Sequence, residues 1–168
     1  LCTTGFANGG KESAGGLSEY RALPLTDLVG ETFRRAHAHG KTTVLTTVLP
    51  AGPSGEILPW SVLRDRTGLD VDRVLAGPDR PQHLSLEFMW QEWAGAYKDE
   101  TTFGPPWVAK ALAAARRHVA GRARIIAHLE LSDFGTVVVG PRDLAASVRA
   151  AIEAGAEGVE IYDAALIE

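Results

Sequence analysis

Short β-branched or apolar runs alternate with longer amphipathic segments along this chain, and that alternation restricts the fold more than any other feature. Residues 23–41 place apolar side chains at three- and four-residue spacings, which predicts an amphipathic helix; these are Leu25, Leu28, Val29, Phe33 and Ala36. The run TTVLTTVLP at 42–50 is continuous, rich in β-branched residues and closed by proline. Such a run is typical of a strand that is covered on both faces.

The same order of strand, connection and helix recurs towards the C-terminus, where prolines open the helices and glycines close them. The predicted elements after the first strand are a Gly- and Pro-rich connection at 51–82 with short helices at 59–68 and 70–77, a strand at 83–90, a loop at 91–105, a helix at 106–121, a strand at 122–131, a loop at 132–140, a helix at 141–158, and a strand at 158–166. Residues 1–7 predict one more strand. About five strands alternating with three clear helices indicate parallel βαβ units with right-handed crossovers.

Two architectures accept this pattern. A five-stranded, doubly wound open sheet fits within 168 residues, whereas a (β/α)8 barrel typically needs about 250. The lengths of the connections favour the barrel, because the long ones follow strands and the returns from helix to strand are short. Long connections at the carboxyl ends of the strands are what a barrel uses to build its active site.

Composition limits the classes of partner. The formal net charge is -4 and the pI is near 5.7, so the chain lacks the basic surface that nucleic acid attracts. One cysteine excludes an internal disulfide and a zinc site built from several thiolates. The sequence contains neither an apolar run of roughly 18 residues nor the layout of a secretion signal. We therefore expect a soluble chain with no membrane partner, either cytoplasmic or secreted with its signal removed.

Four stretches of the sequence resemble the later strands of bacterial glycoside-hydrolase-like (β/α)8 proteins. They are FRRAHAHGKTTVLTTVLP, LEFMWQEWAG, ARIIAHLEL and DLAASVRAAIEAGAEGVEIYDAALI, and the resemblance covers residues 30–168. It implies a single α/β domain over residues 1–168 that forms part of a barrel, without the first strands and the last helix. It also implies strand-end glutamates that face a sugar, and a second chain or fragment that completes the barrel.

Strand alternation places polar side chains together. At 83–90 the period of two puts Ser85, Glu87 and Met89 on one face and Leu84, Leu86 and Phe88 on the other, which would pack under helices. The same period of two places His128 and Glu130 on one face of their strand, and Glu160 and Tyr162 on one face of theirs. A carboxylate buried without a partner is costly, so Glu87 is expected to have a function or a partner.

These residues have the ingredients of glycoside chemistry, in which one carboxyl group is a general acid and a second is a nucleophile or base. We assign Glu87 and Glu130 to those catalytic roles. The expected substrate contacts are aromatic or polar side chains, namely Trp90, Trp93, Tyr97, His128, Glu160 and Tyr162. No cofactor or metal is expected. Two alternatives stay open: a metal-dependent or other barrel hydrolase or lyase that uses His128 and the acids as ligands, and a sugar-binding barrel without catalysis.

Overall fold

The computed structural model describes residues 14–130 and 139–162. The strand predicted at 1–7, most of the loop predicted at 132–140, and the end of the last predicted strand lie outside these ranges. Six helices and four strands occur within them. The elements in chain order are α1 (Ala14–Ala38), β1 (Val44–Val48), α2 (Ser61–Thr67), α3 (Val71–Ala76), β2 (His83–Glu87), α4 (Trp90–Tyr97), α5 (Pro105–Val119), β3 (Arg124–Glu130), α6 (Pro141–Glu153) and β4 (Gly158–Tyr162).

The strands form one parallel sheet in the order β1-β2-β3-β4, with helices between successive strands. Parallel βα repeats, the coarser part of the fold prediction, are therefore confirmed. The described strands lack the reversal of order that defines a doubly wound sheet. Since right-handed crossovers between strands in sequential order all pass over the same side, the helices cover one face of the sheet.

That covered face supplies the strand residues of the hydrophobic core. Leu45 of β1 is aligned with Leu84 of β2 and Ile125 of β3, and Leu86 is aligned with Ala127 one step further along. All five residues are buried in one cluster with side chains of the surrounding helices, such as those of α5. Strands β2 and β3 thus bury every second side chain on the helix side, as the period of two predicts.

The apolar stripe predicted for α1 is only partly the side that packs: Phe33 is buried and Val29 packs against the core, as predicted, whereas Leu25 and Leu28 are exposed. Ala22, Thr26 and Phe33 are buried, whereas Leu28 is 63% exposed. The Thr26 hydroxyl also accepts a hydrogen bond of 3.2 Å from the backbone N–H of Asp70. Because α1 packs against the short helices α2 and α3, the partner elements decide which side of the helix is covered. The helix also begins at Ala14, earlier than predicted.

A further difference lies after β2, where residues 91–105 were predicted to form a loop. The strand ends at Glu87, and α4 follows from Trp90 to Tyr97. Trp90, Gln91 and Ala94 are its buried residues, at helical spacing. The two short helices predicted in the 51–82 connection are confirmed as α2 and α3. Within the described ranges, every helix falls short of the length and apolarity needed to cross a membrane.

Truncating a strand residue on the covered face is expected to weaken the fold strongly. Leu86 is fully buried, so Leu86→Ala should lower the free energy of unfolding by about 2–5 kcal/mol. The matched control Leu28→Ala removes the same atoms from an exposed position and should cost no more than about 0.5 kcal/mol. Urea denaturation followed by circular dichroism measures both, and equal losses would contradict the assignment of the two faces.

Candidate functional site

The face opposite the helices carries a row of polar side chains near the carboxyl ends of the strands. The register aligns Val48, Glu87, His128 and Glu160 across all four strands. Two residues further along the strands, Glu130 is aligned with Tyr162. The expectation that these acids and His128 share a face is therefore met by the register of the sheet. We call this surface the open face.

One hydrogen-bond network on the open face joins three strands. The Ser85 hydroxyl on β2 donates to Glu160 Oε2 on β4 at 2.7 Å, and His128 Nδ1 on β3 lies 3.3 Å from the same oxygen. Strand β3 separates β2 from β4, and neighbouring strands are roughly 4.8 Å apart. A direct bond between side chains of β2 and β4 spans two strand spacings, which indicates that the open face is concave.

Glu130 has the most perturbed environment among the predicted acids. Burial raises the pKa of its carboxyl group above the ordinary value, because the charged form loses water. The carboxylates of Glu92 and Glu87 raise that pKa further by repulsion, and His128 opposes them. The side-chain amide Nε2 of Gln91 donates a hydrogen bond to Glu130 Oε2. Glu130 is thus held in place next to two further carboxylates.

Trp90 was predicted to contact substrate, and the structure places it in the core instead. It is 6% exposed, and its indole N–H donates to the Ser147 hydroxyl of α6 at 3.2 Å. A ring that is enclosed on both sides has no free face on which a ligand can stack. The burial follows from α4, whose first turn directs Trp90 towards α6 rather than towards solvent. We therefore assign Trp90 to the packing of α4 on α6.

The other predicted aromatic residues are more accessible. Trp93 is half-buried and stacks on Tyr97 with ring centroids 6.1 Å apart, and the Tyr97 hydroxyl donates to the carbonyl of Ala51 at 2.9 Å. Tyr162 is 52% exposed, and its ring centroid lies 5.8 Å from that of His128. Tyr162 therefore stands on the open face beside the acids, whereas Trp93 and Tyr97 lie on α4, beyond the end of β2.

Sequence reasoning missed Gln91 and Glu92, which both interact with Glu130. They lie in α4, within the segment predicted as a loop. The available signal was the spacing of Trp90, Ala94 and Tyr97, which fits a helix and would have placed Gln91 and Glu92 in its first turn. A helix that begins directly after a strand carries its first-turn side chains close to the carboxyl end of the neighbouring strand.

Among residues 14–130 and 139–162, no group of three or more histidine, cysteine, aspartate or glutamate side chains is arranged to hold a metal ion. Comparisons of the chain with protein families, with curated proteins and with solved structures found no match.

The raised pKa of Glu130 predicts how stability changes with pH. The folded state disfavours the ionised form, so the stability that this group contributes below its unfolded pKa is lost as the pH rises through the folded pKa. Glu130→Gln removes the charge and should raise the melting temperature near pH 7, with a gain that vanishes towards about pH 4. Thermal unfolding over this pH range measures the effect.

Glu153 provides the control for that experiment, because it is an exposed glutamate near the end of α6. Glu153→Gln should not reproduce the pH-dependent gain. A Glu130→Gln variant that is less stable than the parent chain near pH 7 would contradict the assigned environment.

Proposed function

We propose that the open face is the active site of a glycoside hydrolase or a related carbohydrate-active enzyme. Glu130 is the general acid, and Glu87 is the second carboxylate, which attacks the sugar or activates water. The observation that carries this proposal is the raised pKa of Glu130 beside the Glu87 carboxylate on the adjacent strand. Glycoside hydrolysis needs one protonated carboxyl group and one ionised one, and an environment that separates the two pKa values assigns the roles.

The spacing of the two acids supports the same chemistry. Glu87 is aligned with His128, so Glu130 lies one strand across and two residues further along. That offset separates the two Cα atoms by roughly 8 Å, with both side chains on one concave face. Two carboxyl groups whose Cα atoms are this far apart can lie on either side of a glycosidic bond, as both the retaining and the inverting reaction require.

We further infer that the sheet is part of a (β/α)8 barrel. Sequential strand order, helices on one face and polar groups at the carboxyl ends of strands are all features of that fold. The open face would then be the barrel interior near its mouth. Strands β1 and β4, which are the edges of the described sheet, would pair with further strands from the rest of the polypeptide or from a second chain.

Substrate contacts in this proposal come from the exposed side of the network. The Tyr162 ring can stack on the apolar face of a sugar ring, and His128 lies beside it. Glu160 is half-exposed while it accepts from Ser85 and His128, so it holds both side chains in place and has a further acceptor oxygen. Trp93 and Tyr97 supply stacked rings further from the acids. Trp90 has no part in binding.

Activity on a panel of aryl glycosides tests the reaction. Glu87→Gln and Glu130→Gln should each lower kcat/KM by about 100-fold or more, since a positioned acid or base contributes roughly 10²–10⁴-fold. Glu153→Gln, at an exposed position near the end of α6, should leave turnover unchanged. Circular dichroism and thermal unfolding show that the variants are folded. Binding of sugars without any turnover would overturn the hydrolase proposal in favour of a carbohydrate-binding protein.

The choice of leaving group separates the two roles. A dinitrophenyl group departs without protonation, so Glu130→Gln should retain far more activity on dinitrophenyl glycosides than on phenyl glycosides. Glu87→Gln should lose activity on both. Because the pKa of Glu130 is raised, the alkaline limb of the parent pH profile should lie above the ordinary range of a glutamate, and Glu130→Gln should abolish that limb. If Glu130→Gln loses as much activity on dinitrophenyl glycosides as on phenyl glycosides, Glu130 is not the general acid.

A further inference from the structure

A cavity of about 510 Å³ lies at the amino end of β3. Its walls come from the last turns of α5, the start of β3 and the turn between α6 and β4. The volume is within the range of small-molecule sites, about 300–1,000 Å³. The cavity is remote from the proposed catalytic acids, because Arg124, which lines it, is six residues before Glu130, or roughly 20 Å along the strand.

Positive charge dominates the mouth of this cavity. Three arginines line it, namely Arg116, Arg117 and Arg124. Glu157 is the one acid among the described residues that line it, and Arg124 Nη1 donates to its Oε1 at 2.7 Å. Nε2 of His83 lies 4.0 Å from the same oxygen. Three guanidinium groups and one carboxylate leave two positive charges at the mouth, since arginine stays charged at any physiological pH.

The turn after α6 holds Arg116 in the cavity. Nη1 of Arg116 donates to the carbonyl of Ala154 at 2.8 Å. The guanidinium crosses Gly155 so closely that a Cβ at that position would collide with Nη1, and Gly155 has a φ of +88° that also favours glycine. A guanidinium group carries five N–H donors, and this one hydrogen bond is all that Arg116 forms with residues 14–130 and 139–162. The group is therefore fixed in place while most of its donors stay available to a ligand.

Arg117 has no role in the described fold that its contacts reveal. It is exposed, and it forms no hydrogen bond or ion pair with the part of the chain that the structure describes. Interaction with the helix dipole accounts for arginines in the last turn of α5. It does not account for Arg124, which lies on a strand, or for the convergence of all three side chains on one cavity. Like charges repel, and an anion in the cavity would relieve that repulsion.

The floor of the cavity is apolar. It is formed by Ala113 and Val119 of α5 and by Ala123 and Ile125 at the start of β3. Val119 and Ile125 are buried members of the hydrophobic core, so they form the base beneath the exposed arginines. A charged mouth above an apolar base suits a ligand that combines an anionic group with a small apolar body.

We propose that this cavity binds a small organic phosphate monoester, with the phosphate on the arginines and the apolar body on the floor. A phosphate monoester carries about −1.5 to −2 charges at pH 7, which matches the two positive charges at the mouth. Its oxygens accept the paired N–H bonds that a guanidinium group donates. A carboxylate carries one negative charge and would leave the second positive charge unmatched. Because the cavity is separate from the open face, the inference does not depend on the proposed glycosidase reaction.

Binding of four small probes by the full chain tests the inference. They are phenyl phosphate, inorganic phosphate, benzoate and benzyl alcohol, measured by calorimetry at about pH 7.5, above the second pKa of about 6 of a phosphate ester. Salt at about 0.15 M limits attraction between distant charges to about 8 Å. We expect phenyl phosphate to bind at least about fivefold more tightly than each of the others, because it alone combines two charges with an apolar ring. Inorganic phosphate or benzoate binding as tightly as phenyl phosphate, or no binding of phenyl phosphate, would overturn the inference.

Arg117→Gln assigns the binding to this cavity. Since Arg117 makes no contact with the described fold, its replacement should leave thermal unfolding unchanged and weaken phenyl phosphate binding about tenfold, the effect of one hydrogen bond to a charged group. Arg142→Gln is the matched control, because Arg142 is exposed in the first turn of α6, at the end away from the cavity. It should leave binding unchanged. Equal weakening by the two variants would indicate attraction to the overall charge of the chain and overturn the site.

Ala113→Leu tests the apolar floor. The larger side chain would fill space that the phenyl ring occupies, so it should weaken binding of phenyl phosphate several-fold and leave binding of inorganic phosphate unchanged. Circular dichroism shows whether the variant is folded. A folded Ala113→Leu variant with full affinity for phenyl phosphate would overturn the placement of the apolar body.

Discussion

Burial of a single face of a parallel sheet is the constraint on which the rest of this structure depends. Helices pack on the side that carries Leu84, Leu86 and Phe88, so every second strand residue is fixed in a hydrophobic core. The intervening residues are directed away from the helices by the same pleat. Apolar side chains would gain nothing from the helices on that second side. It is therefore the place where a chain of this fold can carry Glu87, His128 and Glu160 without disrupting its core.

The hydrogen-bond network on the open face is related to the curvature of the sheet. The bond from Ser85 to Glu160 reaches over β3, so it can form only where the open face is concave. The acceptor of this bond, Glu160, also contacts the His128 ring on β3. A surface of this kind combines rigid strands with side chains that converge on one space, which is how a site on strands attains more precise geometry than one built on loops.

The sequence predicted the parts of the fold that follow from local periodicity. In β2 and β3 the alternation identified which residues meet helices and which meet the open face, because strand geometry leaves only two choices. It succeeded only in part for α1, where the predicted stripe included Phe33, which is buried, and Leu28, which the contact with α2 and α3 leaves exposed. It failed at α4, because residues 91–105 were predicted as a loop although the chain continues from Trp90 as a helix. The interactions of Gln91 and Glu92 with Glu130 depend on that helix and were missed for the same reason.

Residues of the site also lower the stability of the folded state. Ionisation of Glu130 is opposed by burial and by two neighbouring carboxylates, and the Gln91 amide leaves one oxygen without a donor in the interior. A chain selected for stability alone would replace these groups with apolar or self-paired ones. Perturbed acids that occur together on one surface are typical of functional sites, where the arrangement of charge serves a reaction or a ligand at the expense of stability.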